Sequence, residues 1–248
     1  MELFSYHLEQ SDFILFFSVA VLVGMAKTGV SGAGMIVVPM LAIIFGGKNS
    51  SGVLLPILIF ADVFGVRHYH RHAEWHHLKK LLPFAIIGVL IGTYTGQFID
   101  DEMFKQIMAI IIFISLGIML WLERGSKKVP HNRWFAATTG VLGGFTTMVG
   151  NLAGAVMSLY LLAMQLPKNR FIGTAAWFFL IINILKVPFH VFVWETITVD
   201  SFLLDLTTIP SIAVGAFLGI WITKKIPEKL YRYFIILMTA IAAVFMVL

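Results

Sequence analysis

Apolar residues occur in ten long stretches along the chain, and short polar or basic loops separate them. The stretches cover residues 12–26, 33–46, 52–67, 79–98, 104–122, 134–148, 152–166, 171–193, 205–223 and 230–248. An α-helix needs about 20 residues to cross the hydrocarbon core of a bilayer, and most of the stretches come near this length. The pattern therefore predicts an all-α, polytopic membrane protein.

Four of these stretches are too short to cross a membrane, and they come as two adjacent pairs. Residues 12–26 and 33–46 form the first pair, and residues 134–148 and 152–166 form the second. About fifteen residues of helix reach only about 22 Å. Because a glycine-rich link joins each pair, we predict two broken or re-entrant helical hairpins with their tips near the membrane midplane.

The sequence also contains an internal repeat. The stretch LLPFAIIGVLIGTY (81–94) matches TIPSIAVGAFLGIW (208–221), and both contain the pattern Pro-x4-Gly-x3-Gly. The hairpins align as well, with Gly24 matching Gly144. Because these matches occur in the same order in both halves of the chain, we infer a duplication.

Each half of the chain holds five segments, an odd number, so the second copy enters the membrane in the opposite orientation. We predict two inverted-topology repeats, over residues 1–122 and 134–248, joined by a cytoplasmic linker over residues 123–133. Each repeat opens with a broken hairpin. The repeated glycines have a second explanation, because small residues let membrane helices pack closely. This alternative applies to Gly88, Gly92, Gly215 and Gly219.

The loop charges agree with this topology. When the loops are assigned alternately to two faces, 14 of the 18 Lys and Arg residues fall on one face. They are Arg67, Arg71, Lys79, Lys80, Arg124, Lys127, Lys128, Arg133, Lys168, Arg170, Lys224, Lys225, Lys229 and Arg232. By the positive-inside rule this face is cytoplasmic, which places both termini on the non-cytoplasmic side of the cell membrane.

Composition excludes several other classes of protein. The chain of 248 residues is 59% hydrophobic and 12% charged, whereas soluble domains carry about 25% charged residues. It has no basic arm that would suit nucleic acid, and no cysteine for a disulfide or a thiolate metal site. The N-terminus lacks the basic region of a cleavable signal and is interpreted as mature sequence. We expect no cofactor and no metal, and the oligomeric state stays open.

A lysine lies in the first hairpin tip, within the apolar and glycine-rich stretch VGMAKTGVSGAGMIVVP. Interrupted helices in transporters aim their N-termini at the midplane, where unpaired N–H groups and the helix dipole attract anions. Ser31 and Asn151 are predicted to cap the helices that begin near Ala33 and Leu152, and Lys27 adds a positive charge. The predicted substrate-binding residues are Lys27, Thr28, Gly29, Ser31, Gly32, Ala33, Gly34, Thr146, Thr147, Gly150, Asn151 and Gly154.

Asp62 is an acidic residue deep inside an apolar run, and its partner in the repeat alignment is Asn183. Intramembrane carboxylates are functional candidates, so Asp62 and Asn183 are candidates for coupling transport to protons. Hydrogen bonding between helices explains the pair as well. Lys186 is interpreted as a lysine that snorkels to the membrane interface, and snorkelling is also the alternative for Lys27.

The loop RHYHRHAEWHHLKK (67–80) is rich in histidine. On a helix His68 and His72 share a face while His70 points elsewhere, so the spacing does not favour a metal site. Contact between this basic loop and acidic lipid headgroups is the favoured interpretation. A role in pH sensing stays open.

The segments AKTGVSGAGMIVVPML and GGFTTMVGNLAGAVMSLYLL, with the Pro-x4-Gly-x3-Gly helices, resemble the TauE/SafE sulfite exporter family. The resemblance implies a secondary-active transporter, not an enzyme, that moves sulfite or organosulfonates outward with the aid of the proton motive force. The second copy departs from the motif, because Thr147 stands where the first has Lys27 and Leu159 stands where it has Pro39. We therefore expect an asymmetric site with one lysine.

Three alternatives stay open at this point. The first is a permease or channel for another small anion, such as a carboxylate, since the same dipoles and lysine would serve it. The second is a membrane enzyme that uses Ser31 and Lys27 as a Ser–Lys pair; Asn151, the repeat partner of Ser31, is no nucleophile and argues against it. The third is a membrane scaffold, which would not explain paired broken helices.

Overall fold

The computed structural model describes residues 2–3, 6–7, 9–31, 33–98, 100–124 and 133–247, and helices account for most of them. The α-helices are α1 (Gln10–Lys27), α2 (Ala33–Phe45), α3 (Gly47–Tyr69), α4 (Trp75–Thr95), α5 (Asp101–Arg124), α6 (Arg133–Gly150), α7 (Gly154–Ala163), α8 (Lys168–Phe192), α9 (Val199–Leu206), α10 (Ile209–Lys225) and α11 (Glu228–Val247). A 3-10 turn, His70–His72, follows α3, and two-residue strands β1 (Glu2–Leu3) and β2 (Tyr6–His7) pair antiparallel before α1. Each predicted apolar segment coincides with one helix, and α9 is additional.

Several helices have the length and composition of membrane spans. Among the described residues four pass on both counts: Gln10–Lys27, Asn49–His72, Trp75–Thr95 and Lys168–Phe192. The pair α9 and α10 adds a fifth if the two helices, bent by 50° at a short break, form one span. Large apolar side chains such as Ile43, Phe192 and Phe217 are exposed on the outer surface, as suits contact with lipid. The chain is a multi-pass, helical membrane protein.

The first helix of each hairpin is longer than predicted, and this corrects the expectation that all four hairpin helices are too short to span. Helices α1 and α6 have 18 residues each, about 27 Å at about 1.5 Å per residue. The polar residues at their ends are also helical, because the backbone hydrogen bonds of a helix do not require apolar side chains. Glu9 and Asp12, for example, form a capping box at the start of α1. The second helices, α2 and α7, are short, with 13 and 10 residues.

Left-handed residues break both hairpins. Gly29 follows α1 with φ +128°, and Asn151 follows α6 with φ +57°. The Asn151 N–H donates to the Thr147 carbonyl at 3.1 Å, so Asn151 ends α6, a position where asparagine tolerates left-handed geometry. The prediction that it caps the next helix is wrong, since α7 begins at Gly154 with Ala153 in the N-cap position.

The capping predicted for Ser31 is displaced as well. Because α2 begins at Ala33, its N-cap position falls on Gly32, which lies outside the described residues. Ser31 therefore precedes the cap position by one residue, and it lines the space between the hairpins.

Glycines bring two pairs of helices into backbone contact, α1 with α10 and α4 with α6. Gly215 of α10 lies against the Val21 carbonyl of α1, and Gly88 of α4 lies against the Val141 carbonyl of α6. A Cβ atom at either position would overlap the facing backbone. The close-packing explanation is confirmed for the repeated glycines, which are Gly88, Gly92, Gly215 and Gly219.

Replacing Gly144 with alanine is expected to lower stability, because the new methyl group would overlap the Ala85 carbonyl of α4. Overpacking of this kind costs about 1–3 kcal/mol. The matched control is Gly117→Ala in α5, where the added methyl meets open space and alanine favours the helix by up to about 1 kcal/mol. Thermal unfolding of the purified variants should give a lower midpoint for Gly144→Ala only. Equal midpoints would contradict the contact.

Candidate functional site

The two hairpin tips enclose a cavity of about 70 Å³. Six of the predicted residues line it, three from each hairpin: Lys27, Ser31, Gly34, Thr147, Asn151 and Gly154. Asn183 of α8 lines it too. A single water needs at least about 10–15 Å³ of such space, so the cavity has room for a group of only a few heavy atoms.

The second helix of each hairpin begins at this cavity. Gly34 lies in the first turn of α2 and Gly154 is the first residue of α7, and both line the cavity. The first four N–H groups of a helix lack partners within that helix, and the helix dipole places partial positive charge at this end. The two helix starts therefore offer N–H donors and positive potential to the same small space.

Other predicted residues do not line the cavity and instead make contacts within and between the helices around it. The Thr28 hydroxyl, fully buried, donates to the Gly24 carbonyl at 2.8 Å. The Gly29 carbonyl accepts a hydrogen bond from the Tyr231 hydroxyl at 2.9 Å. The buried residues of this group are Thr28, Gly29, Thr146 and Gly150. The predictions for Gly32 and for the side chain of Ala33 fall outside the described parts of the chain.

Lys27 forms an ion pair with Asp62. The Lys27 Nζ lies 2.9 Å from Asp62 Oδ1, and the Asp62 side chain is completely buried. The same Nζ lies 4.0 Å from the centre of the Phe179 ring, a favourable cation–π distance. Lys27 therefore does not snorkel away from the protein. It is held at the cavity by a carboxylate that sequence reasoning did not assign to it.

The two predicted coupling residues are in direct contact. Asn183 Nδ2 donates to Asp62 Oδ2 at 2.6 Å, and both side chains are buried. One amide and one lysine thus hold the two carboxylate oxygens. The hydrogen-bonding alternative for this pair matches the structure, and the contact links the first half of the chain to the second.

The interpretation of Lys186 as a snorkelling lysine is wrong. Its side chain is completely buried. Its Nζ donates to Asn151 Oδ1 at 2.5 Å, to Thr147 Oγ1 at 3.2 Å and to Asn183 Oδ1 at 3.3 Å. All three acceptors belong to residues that line the cavity. The sequence does carry one signal for this position, because Lys186 follows Asn183 by three residues and so shares its helical face.

The buried charges around the cavity do not cancel. When all three groups are ionised, Lys27 and Lys186 carry two positive charges and Asp62 carries one negative charge. In the described part of the chain no acidic side chain lines the cavity itself. An uncompensated charge in a weakly polar interior is costly, and in that state the cluster lacks one negative counter-charge.

The histidine-rich stretch provides no metal site of the usual kind. Among the described residues no group of three His, Asp or Glu side chains is placed to hold a metal ion. The stretch instead divides at the 3-10 turn: His68 lies in α3 before it, whereas His76 and His77 lie in α4.

Apolar spans, broken hairpins and a small cationic cavity define a membrane transport protein. The family model described as sulfite exporter TauE/SafE matches residues 16–246, nearly the whole length. The chain belongs to this family, whose members are membrane exporters of sulfite and related anions. Comparison with curated proteins and with solved structures finds no match.

Proposed function

We propose that the protein is a secondary transporter that exports a small sulfur-containing anion, such as sulfite or an organosulfonate. The anion binds in the cavity between the hairpin tips. The observation that carries this proposal is the meeting of two lysines and one carboxylate, Lys27, Lys186 and Asp62, beside a space of about 70 Å³. Lys27 and Lys186 supply the charge, and the starts of α2 and α7 supply N–H donors.

The proposed architecture is a pair of inverted repeats, over residues 1–122 and 134–248. Its support is that matched residues make matched contacts. Gly215 meets Val21 in the way that Gly88 meets Val141; the glycines are 127 residues apart in the sequence and the valines 120. Gly24 likewise meets the Ile212 carbonyl, and Gly144 meets the Ala85 carbonyl. Ile212 and Ala85 are 127 residues apart in the sequence, as the two glycines of the first comparison are. A duplication accounts for this repetition of contacts.

An inverted repeat suits alternating access around a fixed site. The tight pairs α1–α10 and α4–α6 each join a hairpin of one repeat to a helix of the other. We propose that these pairs move as units on either side of the central α3 and α8, which contact each other. Such a movement would open the cavity to one side of the membrane at a time.

Asp62 is proposed as the coupling residue, with Asn183 as its positioning partner. A bound anion and the Asp62 carboxylate compete for the same Lys27 ammonium, which lies 2.9 Å from Asp62. Anion binding would therefore weaken the ion pair and link occupancy of the cavity to the protonation state of Asp62. This proposal makes protons a second partner beside the anion.

The test is transport into proteoliposomes, with sulfite, an organosulfonate and a carboxylate as competing anions and with and without a pH gradient. We expect sulfite or the organosulfonate to be carried and to inhibit the other. A chain without native cysteine allows single-cysteine labelling of the termini, which we propose lie outside the cytoplasm, to fix orientation. Carboxylate transport without sulfite transport would favour the alternative permease, and no anion flux would refute the function. Flux unchanged by the pH gradient would remove the proton role of Asp62.

A further inference from the structure

A second, larger cavity lies between α4, α6 and α7, away from the hairpin tips. Its volume is about 370 Å³, several times that of the central cavity. The residues that characterise its wall are His76, His77, Lys80, Arg133, Phe135 and Tyr160. In the described part of the chain no acidic side chain lines it.

Two helices begin at this cavity. His76 and His77 lie in the first turn of α4, which starts at Trp75, and Arg133 is the first residue of α6. The positive end of a helix dipole is therefore present on two sides. Together with the basic side chains, these helix ends make the cavity strongly favourable for an anion.

Aromatic side chains line another side of the cavity, and one of them contacts a histidine of the basic side. The Tyr160 hydroxyl of α7 lies 3.0 Å from His77 Nδ1, within hydrogen-bond distance. The Tyr160 ring stacks on Phe135, with ring centres 5.8 Å apart and planes at 19°. The cavity is therefore basic on one side and apolar on the other, which suits an anion attached to an organic group.

The basic groups here are not neutralised by the nearest acidic residue in the sequence. Glu74 precedes α4, but its carboxylate accepts from Arg170 at 2.6 Å. Lys80, Arg133 and His76 are exposed at the rim, so a ligand could reach them. An exposed basic pocket at the ends of membrane helices is also the kind of site that receives lipid headgroups.

We propose that this cavity binds a phosphate group, carried either by an acidic phospholipid or by a soluble phosphate ester. The phosphate oxygens face the starts of α4 and α6, Lys80 and Arg133, while the organic part packs on Phe135 and Tyr160. This site is separate from the central cavity and does not depend on the proposed transport function.

The test measures binding of phosphatidylglycerol, phosphatidylcholine and glycerol 3-phosphate to the full-length protein by native mass spectrometry. The variant is Lys80→Gln with Arg133→Gln. The control, Lys224→Gln with Lys229→Gln, makes the same charge change at two exposed lysines that do not line the cavity. We expect phosphatidylglycerol to bind in preference to phosphatidylcholine, and the variant to bind it about tenfold or more weakly because two charge-assisted hydrogen bonds are lost.

Comparison of the three ligands identifies the source of the phosphate. Binding of phosphatidylglycerol alone supports a lipid site, and binding of glycerol 3-phosphate that the variant weakens supports a soluble ester. The single variant His77→Gln provides a milder second test if the double variant is poorly folded. Equal binding by the wild type and both cavity variants, or an equal loss in the control, would overturn the proposal.

Discussion

Replacing Lys27 with methionine is expected to reduce anion transport by about thirtyfold or more. The variant removes the cation that lines the cavity and faces the proposed substrate. Truncating one member of a buried charge pair costs about 2–5 kcal/mol, and each 1.4 kcal/mol is about a factor of ten. The measurement is the initial rate of sulfite flux in proteoliposomes that contain equal amounts of folded protein.

The same substitution is expected to destabilise the protein, for a separate reason. It leaves the completely buried Asp62 carboxylate without its ion-pair partner, and breaking a buried pair costs about 3–5 kcal/mol. Asp62→Asn added to Lys27→Met removes that stranded charge. The double variant should therefore recover most of the thermal stability without recovering transport.

The control for this comparison is Asp62→Asn alone, because it removes the proposed coupling carboxylate and keeps Lys27. Recovery of transport in the double variant would show that Lys27 serves only to neutralise Asp62, and the assignment of Lys27 to the substrate would be withdrawn. Normal transport by Lys27→Met alone would lead to the same conclusion more directly.

Replacing Lys186 with methionine is the second substitution expected to abolish most transport. The variant removes the excess positive charge and leaves Asp62 paired with Lys27, so the cluster becomes electrically neutral. An anion would then enter a buried space with no charge to compensate it, which is costly. We expect flux to fall at least about tenfold, since hydrogen bonds to charged groups contribute about 1.5–3 kcal/mol.

The structural effect of Lys186→Met should be smaller than that of Lys27→Met. Its three acceptors, on Thr147, Asn151 and Asn183, are neutral, so no charge is stranded and the expected cost is about 1–3 kcal/mol. The control is Lys225→Met, an exposed residue that loses a cation–π contact with Trp221 and should transport normally. Full transport by Lys186→Met would mean that the excess charge is not used to hold the anion.

The second hairpin lacks a lysine of its own, and Lys186 of the neighbouring helix α8 lies beside it instead. Thr147 stands at the position that Lys27 occupies in the first hairpin, so the hairpin motif alone predicts one cation. The structure provides the other from the neighbouring helix, because Lys186 reaches Thr147 at 3.2 Å. Lys27 from the first half of the chain thus lines the cavity, while Lys186 from the second half binds residues of its wall from a non-equivalent position.

Local sequence was sufficient to predict most of the helices and both hairpin breaks. Apolar runs report helices directly, because every backbone group in a bilayer needs an internal hydrogen bond. Gly29 and Asn151 mark the breaks since glycine and asparagine tolerate positive φ. The ends of α1 and α6 were less predictable, because polar residues can continue a helix beyond its apolar core. Helix α9 was missed since its start depends on a capping box between Thr198 and Ser201.

Which charges meet was decided only by tertiary packing. Lys27 and Asp62 are 35 residues apart in the sequence, and Lys186 lies in the other half of the chain. The sequence suggested an interfacial position for Lys186, whereas the packing of α8 against α3 leaves this lysine completely buried. A hydropathy pattern records how apolar each segment is, but it contains no information on which helical faces come together. The glycines, lysines and asparagines of the cavity were visible in the sequence, whereas their pairing and net charge follow from the packing of α3, α8 and the two hairpins.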